Sequence, residues 1–200
     1  INVRGIERHA VCGMVVASSC FILNSRTFAQ PYCNAPMVAA EGSRYLAVTV
    51  DPADPTPVSL RVAASGFPGL SQYVDASGHL TCDPIVQTPE QWGTVHVTGS
   101  AIIPQTEYLI QSVCENGIAS TPIAATTWRW GDGNNNDLVE IDDILCVVAG
   151  FAGHFANCSQ YAADFKGVVP NGSITLDDIL AVLDAFGGGS YHDSAPPPVP

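Results

Sequence analysis

Oxygen-bearing side chains recur at regular spacing in one stretch of the chain. The stretch runs Asp132-Gly-Asn-Asn-Asn-Asp-Leu-Val-Glu-Ile-Asp-Asp143. A twelve-residue calcium loop takes its ligands from positions 1, 3, 5, 7, 9 and 12, and position 7 uses its backbone carbonyl. Counted from Asp132, the predicted ligands are Asp132, Asn134, Asn136, the carbonyl of Leu138, Glu140 and Asp143. This number of hard oxygen donors favours Ca²⁺.

Two further positions of this loop agree with calcium binding. Position 6, usually a glycine at the sharp turn, is Asp137, which tolerates a left-handed backbone better than most residues. Position 8 is Val139, which is apolar, as expected for a short strand that pairs two such loops. No Cys or His stands at ligand spacing, which argues against zinc. The alternative interpretation is a solvated acidic turn in front of a capped helix.

A second, less regular loop ends at Asp178. Counting back from Asp178 as the last ligand puts Gly167, which has no ligand side chain, at the first position. Asp164 lies three residues earlier and is the predicted first ligand if residues 166–170 contain a three-residue insertion. The predicted ligands of this loop are Asp164, Asn171, the carbonyl of Ser173, Thr175 and Asp178. The alternative is a degenerate loop that is kept only for its fold.

Each loop leads into a predicted amphipathic helix. The tetrapeptide Asp-Asp-Ile-Leu occurs at 142–145 and again at 177–180, which marks an internal repeat with a period of 35 residues. The second apolar run has the i, i+3, i+4, i+7 spacing of a helix. Gly150 is expected to end the first helix and Gly187 the second. Neither loop shows a clear entering helix in the sequence.

Residues 131–187 resemble a type I dockerin domain. The resemblance rests on Gly131-Asp132-x-Asn134-x-Asn136, Asp143-Ile144-Leu145, Asp164, Asn171-Gly172 and Asp178-Ile179-Leu180. It implies two calcium loop–helix units that pack antiparallel and fold with calcium, and a cohesin-like or other extracellular protein as partner. The chain departs from the family pattern in the insertion and before each last ligand. There, Ile141-Asp142 and Leu176-Asp177 replace the hydroxyl pairs often used for cohesin contact.

The residues before this module have the pattern of a β-sandwich. Five strands are predicted from β-branched enrichment and alternation, at 45–50, 58–62, 94–98, 108–113 and 123–130. The segment Ile102-x-Pro104-x-Thr106-x-Tyr108 resembles the tyrosine corner of fibronectin type III domains. That resemblance implies a hydrogen bond between the Tyr108 hydroxyl and nearby backbone. The predicted fold class is therefore multidomain β plus α, a fibronectin type III-like sandwich followed by the dockerin-like unit.

Composition and charge limit the functions of the chain. The formal net charge is −12 and the seven basic residues are scattered, so no nucleic-acid partner is expected. His79, His96 and His154 have no neighbouring Ser or Cys nucleophile in a recognisable motif. His96 alternates with valines on a predicted strand and is expected at the surface. A non-catalytic protein with no catalytic residues is therefore predicted.

The N-terminal residues have the pattern of an export signal. Arg4 and Arg8 precede an apolar stretch over 10–23, and cleavage is predicted before Gln30. The stretch is shorter than the roughly 20 residues of a membrane helix, so stable membrane insertion is not expected. A retained core helix, an anchor and a lipoprotein site ending at Cys20 are the alternatives. The expected organisation is a signal peptide at 1–29, an N-terminal tail at 30–42, a sandwich at 43–130, the dockerin-like domain at 131–187 and a disordered tail at 188–200.

Export would place the cysteines in an oxidising compartment, where disulfides persist. Five cysteines remain after residue 29: Cys33, Cys82, Cys114, Cys146 and Cys158. A Cys146–Cys158 bond is predicted to join the two halves of the dockerin-like module, and a Cys82–Cys114 bond is predicted in the sandwich. Cys33 would then be left over in the tail, either free or exchanged into the second pair. Buried free thiols are the alternative for all five.

Trp128 and Trp130 flank Arg129 where the predicted sandwich meets the predicted module. On a strand, both rings would point to one face. They would then serve as a stacking platform for sugar rings or as packing between the two modules, and we favour packing. The leading interpretation is a secreted or cell-surface calcium-binding protein for extracellular assembly or attachment. The alternative is a carbohydrate-binding sandwich with a dockerin-like anchor.

Overall fold

The computed structural model describes residues 33–191, apart from positions 68, 70, 157 and 167–168. The predicted export signal at 1–29 lies outside the described residues. The described part contains eight strands and four helices. The strands are β1 (Met37–Ala40), β2 (Leu46–Thr49), β3 (Val58–Ala64), β4 (Gln72–Val74), β5 (Leu80–Thr81), β6 (Thr94–Val97), β7 (Glu107–Cys114) and β8 (Ile123–Thr126). The helices are α1 (Pro89–Trp92), α2 (Ile141–Phe151), α3 (Gln160–Ala163) and α4 (Leu176–Phe186).

The strands form two antiparallel sheets, which confirms the predicted β-sandwich. One sheet has the strand order β1-β2-β6 and the other the order β5-β4-β3-β7-β8. The longest pairing joins β3 and β7, from Val58 opposite Cys114 to Ala64 opposite Tyr108. The sequence did not predict β4 and β5, because strands of three and two residues are too short to show a period.

Alternate residues of the two sheets fill one shared core. In the first sheet Leu46 lies opposite Val97, with Val48 two residues further along β2. Leu60 and Ile110 enter the same core from the second sheet. All five side chains are fully buried, and burial of one such side chain stabilises the fold by about 1.5–3 kcal/mol. The period of two in the strands therefore directs one face of each sheet inward.

The Tyr108 hydroxyl fastens the start of β7 to the loop before it. The hydroxyl donates to the carbonyl of Ala101 at 2.7 Å and accepts the backbone N–H of Ile103 at 2.8 Å. Tyr108 itself is buried. A hydroxyl bonded to backbone a few residues upstream is the geometry of a tyrosine corner. These two contacts confirm the corner predicted from the sequence.

Trp92 belongs to the sandwich core. Thr88 caps α1, Pro89 occupies its first turn, and the Gln91 side chain reaches back to Thr88 in a capping box. The helix directs the indole inward, where its N–H donates to the carbonyl of Val58 at 2.8 Å. A buried indole needs such a partner. Trp92 therefore ends a short, capped helix that directs it into the core.

The sandwich begins earlier than the sequence predicted. Met37–Ala40, assigned to a tail at 30–42, form β1 and pair with β2 from Met37 opposite Thr49 to Ala40 opposite Leu46. The strand was missed because half of its residues are alanines, which have little preference for strands. The strand predicted over 123–130 ends earlier than expected, at Thr126.

The disulfides confirm one predicted pair and correct the other. Cys146 is bonded to Cys158, as predicted. Cys114 is bonded to Cys33 and not to Cys82, so the predicted Cys82–Cys114 bond is wrong. Cys82 follows β5, and β4 and β3 separate β5 from β7. Three strand spacings are about 14 Å, whereas a disulfide joins Cα atoms about 4.4–6.8 Å apart. The Cα atoms of Cys33 and Cys114 are 5.8 Å apart, and Cys82 is itself disulfide-bonded.

The helices α2 and α4 pack against each other and repeat one burial pattern. The buried residues are Asp143, Cys146, Val147 and Gly150 in α2, and Asp178, Ala181, Val182 and Ala185 in α4. Each buried residue of α2 has its counterpart 35 positions later, so the sequence repeat is also a structural repeat. None of the described helices has the length and the apolar character needed to cross a bilayer.

The helix ends agree with the sequence in one helix and differ in the other. Gly187 caps α4, as predicted. Gly150 lies inside α2, which ends at Phe151. The space beside it is filled, since a Cβ there would meet Phe155 at 3.2 Å and Ile174 at 3.4 Å. An entering helix that the sequence did not show, α3, precedes the second loop, and the Ser159 hydroxyl caps it. Four residues are too few to show a helical period.

The chain after α4 turns back toward the sandwich–module boundary. Residues 188–191, expected in a disordered tail, end at Tyr191, whose ring meets that of Trp130 edge-on with centroids 6.2 Å apart. Trp130 also packs against the core between α2 and α4. The ring of Tyr191 lies 5.2 Å from the buried guanidinium of Arg44. Trp130 therefore has the packing role that the sequence favoured.

Candidate metal centre

The first loop folds around the carboxylate of Asp132, which is fully buried. One oxygen accepts the backbone N–H of Asn136 at 3.2 Å, and the other accepts that of Asp137 at 2.9 Å. Asp137 has a φ of 65°, the left-handed conformation expected at the position where calcium loops usually have glycine. These hydrogen bonds curl the backbone of the loop around one buried carboxylate.

Asp143 closes the other end of the first loop. One of its oxygens accepts the N–H of Gly133 at 2.9 Å and that of Asn134 at 3.2 Å. The other oxygen accepts the N–H of Glu140, the N-cap residue of α2, at 2.7 Å. Hydrogen bonds to the N-cap region stabilise the start of a helix. The same buried carboxylate therefore closes the loop and begins the helix.

Asp178 has the same role in the second loop. One oxygen accepts the N–H of Phe165 at 2.9 Å and that of Lys166 at 2.8 Å. The other accepts both the N–H and the hydroxyl of Thr175, each at 2.8 Å. Phe165 and Lys166 directly follow Asp164, just as the donors in the first loop directly follow its first aspartate. The two loops therefore share one hydrogen-bonding frame.

Asp164 takes the place of Asp132 in the second loop. It accepts the N–H of Gly172 at 2.6 Å, as Asp132 accepts that of Asp137. Gly172 is also left-handed, with a φ of 74°. The extra residues of the second loop, at 166–170, therefore leave the hydrogen bonds at the loop ends intact. The register chosen from the sequence, with Asp164 as the first residue of the second loop, agrees with this geometry.

The remaining predicted ligands lie in the exposed part of the two loops. They are Asn134, Asn136, Leu138 and Glu140 in the first loop, and Asn171, Ser173 and Thr175 in the second. The side-chain oxygens of Asn136 and Asn171 accept the backbone N–H two residues ahead, at 2.9 and 2.8 Å. The structure thus holds both ends of each loop through a buried carboxylate bonded to backbone and leaves the other predicted oxygen donors along the exposed side.

Four carboxylates of this module are buried without a cationic side chain beside them. They belong to Asp132, Asp143, Asp164 and Asp178, and each is at most 1% exposed. Within the described part of the chain, none of them forms an ion pair with Lys, Arg or His. Burial is the main reason that the pKa of Asp164 is raised to about 6, and the nearby charge of Asp178 acts in the same direction. A buried charge that lacks a counter-charge costs several kcal/mol.

The donor chemistry of both loops fits a hard divalent cation. No three Asp, Glu, His or Cys side chains of the described residues converge on one point, so the Glu140 carboxylate does not join those of Asp132 and Asp143. The other donors are neutral oxygens, which calcium accepts readily, whereas zinc prefers nitrogen and sulfur. The sulfur of Cys146 lies 3.9 Å from the carbonyl of Gly133, but its disulfide to Cys158 removes it as a ligand.

Tyr45, a sandwich residue that no sequence pattern singled out, reaches the second loop. Its hydroxyl donates to Asp164 at 2.9 Å and accepts the N–H of Gly172 at 3.1 Å. Burial, and then the negative charge of Asp164, raises the pKa of Tyr45, so the hydroxyl keeps its proton and can donate it. Tyr45 and Asp164 are 119 residues apart in the chain, and no local pattern could have revealed the contact.

His96 and Tyr161 pack beside Tyr45 where the sandwich meets the C-terminal module. The rings of His96 and Tyr161 are stacked with centroids 3.7 Å apart, and those of Tyr45 and Tyr161 are 5.0 Å apart. One His96 ring nitrogen lies 2.7 Å from the Glu41 carboxylate. His96, expected at the surface, is therefore half-buried, because Tyr161 of α3 covers it.

The three tryptophans do not form an open face for sugar binding. Trp92 is buried in the sandwich, and Trp128 and Trp130 are half-buried. The strand β8 ends before both of the latter residues, so they do not project from one strand face. The backbone N–H of Trp128 donates to the carbonyl of Gly42 at 3.1 Å, within the boundary between sandwich and module.

No protein-family model matches the chain. No curated protein matches it either. Among solved structures, it is similar to the fibronectin type III domain of human contactin 1, at 19% identity over 58% of this chain and 93% of that one, with a TM-score of 0.35. It is also similar to the sixth fibronectin type III domain of human fibronectin type III domain containing protein 3, at 16% identity over 52% of this chain and 92% of that one, with a TM-score of 0.33. The two antiparallel sheets and the tyrosine corner themselves define the sandwich.

Proposed function

We propose that this protein is a non-catalytic extracellular protein in which residues 131–187 form a dockerin-like, calcium-binding docking unit. Two loops with one shared hydrogen-bonding frame and four buried carboxylates support the proposal. Calcium would neutralise the carboxylates and hold the ends of each loop together, so that α2 and α4 keep their packing. The residues that would hold it are the ligands predicted from the sequence in each loop.

The observation that carries a docking role is a row of exposed apolar side chains on each helix. The two rows, called the apolar rows here, are Ile141, Leu145, Val148 and Phe151 on α2, and Leu176, Leu180, Leu183 and Phe186 on α4. Their exposed fractions lie between 42% and 63%. Each member of the first row has its counterpart 35 residues later. The internal repeat therefore includes the exposed face as well as the buried one.

Exposed apolar rows of this kind favour a protein partner. Burial of apolar side chains contributes about 25 cal/mol of stabilisation for each Å² of apolar surface removed from water. A helix that leaves such side chains in water lacks this stabilisation. Clusters of such side chains mark interaction surfaces in soluble proteins. A cohesin-like or other extracellular protein that covers the apolar rows would recover this free energy. The half-buried tryptophans give no comparable surface for a carbohydrate.

The disulfides support an extracellular location. The Cys33–Cys114 disulfide joins two segments of the sandwich, and the Cys146–Cys158 disulfide joins two segments of the C-terminal module. Disulfides of this structural kind persist in oxidising compartments and are rare in the cytosol. We therefore propose a secreted or cell-surface protein, with the sandwich as the body that carries the docking unit.

The metal part of the proposal is tested by calcium titration of the full chain by calorimetry. We expect two sites in the wild type. Asp178→Asn should remove one of them, because it takes away the charge of a buried end carboxylate while keeping an oxygen acceptor. Asp177→Asn, the exposed neighbour, is the matched control and should leave both sites. Absence of calcium binding by the wild type would refute the proposal.

The docking part is tested with substitutions in the apolar rows. A chain with Leu145→Asp and Leu180→Asp should lose calcium-dependent capture of an extracellular protein while keeping both calcium sites. Val86→Asp is the matched control, because Val86 is an exposed apolar residue of the sandwich, and it should capture normally. Equal capture by the double variant and the control would show that the apolar rows are not the docking surface.

A further inference from the structure

We infer that Tyr45 of the sandwich is a positioning residue for the second calcium loop and makes the sandwich part of that metal site. The inference rests on the calcium binding proposed above and deepens it. It assigns to a residue outside the loop a role in how tightly the loop binds its metal. It also implies that calcium at this loop fastens the module to the sandwich.

The Tyr45 hydroxyl lies between the first and sixth positions of the second loop. It donates to one carboxylate oxygen of Asp164 at 2.9 Å and accepts the N–H of Gly172 at 3.1 Å. The same N–H also donates directly to the same oxygen of Asp164 at 2.6 Å. The three groups therefore form a closed set of hydrogen bonds around the predicted first ligand. The orientation of the Asp164 carboxylate thus depends on a residue of the sandwich.

At the first loop, no sandwich side chain of the described residues hydrogen-bonds to the first carboxylate; Arg129 instead donates to the backbone carbonyl of Asp137 at 3.3 Å. Asp132, the equivalent of Asp164, accepts hydrogen bonds from Asn136 and Asp137, both within its own loop. A sandwich hydroxyl bonded to the first carboxylate is therefore found at the second loop and not at the first. An effect of Tyr45 should therefore appear at one calcium site and not at the other.

The Tyr45 hydroxyl is fixed by packing, as a positioning group must be. Tyr45 is 3% exposed, and its ring lies against that of Tyr161. Close beside it, the backbones of sandwich and module touch, since a Cβ on Gly42 would stand 2.6 Å from the carbonyl oxygen of Tyr161. The hydroxyl thus needs no rearrangement to orient Asp164. Partners that orient metal ligands typically contribute about 10–100-fold in metal affinity.

Binding linkage makes the effect reciprocal. If contact with Tyr45 strengthens calcium binding at the second loop, calcium at that loop must strengthen the contact by the same factor. Calcium would therefore increase the protection of sandwich residues 41–46 against hydrogen exchange. Calcium at the first loop, which lacks the contact, would not have this effect.

The test is Tyr45→Phe, which removes the hydroxyl and keeps the buried ring. Calcium calorimetry on the full chain should show one site weakened about tenfold and the other unchanged. Tyr161→Phe is the matched control, because it removes a hydroxyl at the same junction that makes no hydrogen bond to Asp164, and both sites should keep their affinity. In an Asp178→Asn background, which removes the second site, Tyr45→Phe should have no effect on calcium binding.

Hydrogen exchange gives a second readout that does not need the Asp178 variant. Calcium should slow exchange at residues 41–46 in the wild type and in Tyr161→Phe, but not in Tyr45→Phe. Two calcium sites of unaltered affinity in a folded Tyr45→Phe chain would overturn the inference alone. If Asp178→Asn removes no calcium site that the wild type has, the proposed calcium binding at this loop is overturned, and the inference with it.

Discussion

Asp143 and Asp178 lie 35 residues apart and accept equivalent hydrogen bonds. One oxygen of each carboxylate accepts hydrogen bonds from two successive backbone N–H groups at the start of its loop. The other oxygen accepts the N–H of the residue that caps the following helix. Both carboxylates are buried. Loop closure, helix initiation and the proposed binding of calcium therefore depend on a single group in each half of the module.

This dual role predicts that Asp143→Ala destabilises the protein even without calcium. The substitution leaves three backbone N–H groups without their acceptor, which costs about 1–3 kcal/mol for each group that stays buried. With calcium present, the loss should be larger, because the metal also loses a ligand. The measurement is chemical unfolding in chelator and in excess calcium, with Asp142→Ala as the exposed neighbour. An Asp143→Ala chain as stable as the wild type in chelator would contradict the hydrogen-bond role.

Gly42→Ala should weaken the contact between sandwich and module. The added Cβ would stand 2.6 Å from the carbonyl oxygen of Tyr161 and 3.2 Å from the Cα of Ala162. Both are backbone atoms, so the two modules must move apart, and overpacking of this kind costs about 1–3 kcal/mol. Thermal unfolding of the full chain measures the loss. Gly66→Ala, whose Cβ would meet nothing within 4 Å, should not lower the melting temperature, and a similar loss there would contradict this explanation.

The Cys33–Cys114 and Cys146–Cys158 disulfides should differ in their contribution to stability. Cys33 and Cys114 are 81 residues apart, whereas Cys146 and Cys158 are 12 apart. Chain entropy alone gives about 4.5 kcal/mol for the longer loop and about 3 kcal/mol for the shorter one. Replacing each pair with alanines and measuring the free energy of unfolding would show the order. Peptide mapping of the unreduced protein should recover both of these linkages, and a Cys82–Cys114 peptide would contradict the fold.

Neighbouring apolar residues of α4 should respond very differently to truncation. Val182 is fully buried between the helices, so Val182→Ala should lower the free energy of unfolding by about 2 kcal/mol. Leu180 is 62% exposed, so Leu180→Ala should change it by less than about 0.5 kcal/mol. Denaturant unfolding of both variants compares them directly. A large loss for Leu180→Ala would mean that its row supports the fold and is not free for a partner.

Much of the C-terminal module could be predicted because its information is local. The hydrogen bonds that close the first loop, the left-handed position at Asp137 and the helix end at Gly187 each depend on residues close together in the chain. The shift of the second loop to Asp164 could also be derived, since the spacing of the first loop supplied a template. Tyr108 was found for the same reason, because its partners lie within seven residues.

The sequence by itself determined the elements whose periods are long enough to read, the repeat of loops and helices, and the tyrosine corner. Tertiary structure alone decided that Cys114 pairs with Cys33, that His96 is covered by Tyr161, and that Tyr45 supports Asp164. The physical reason is the range of the interactions. Hydrogen bonds and periods within a turn or a helix act over a few residues, whereas these contacts join segments that come together only when the sheets and the module pack.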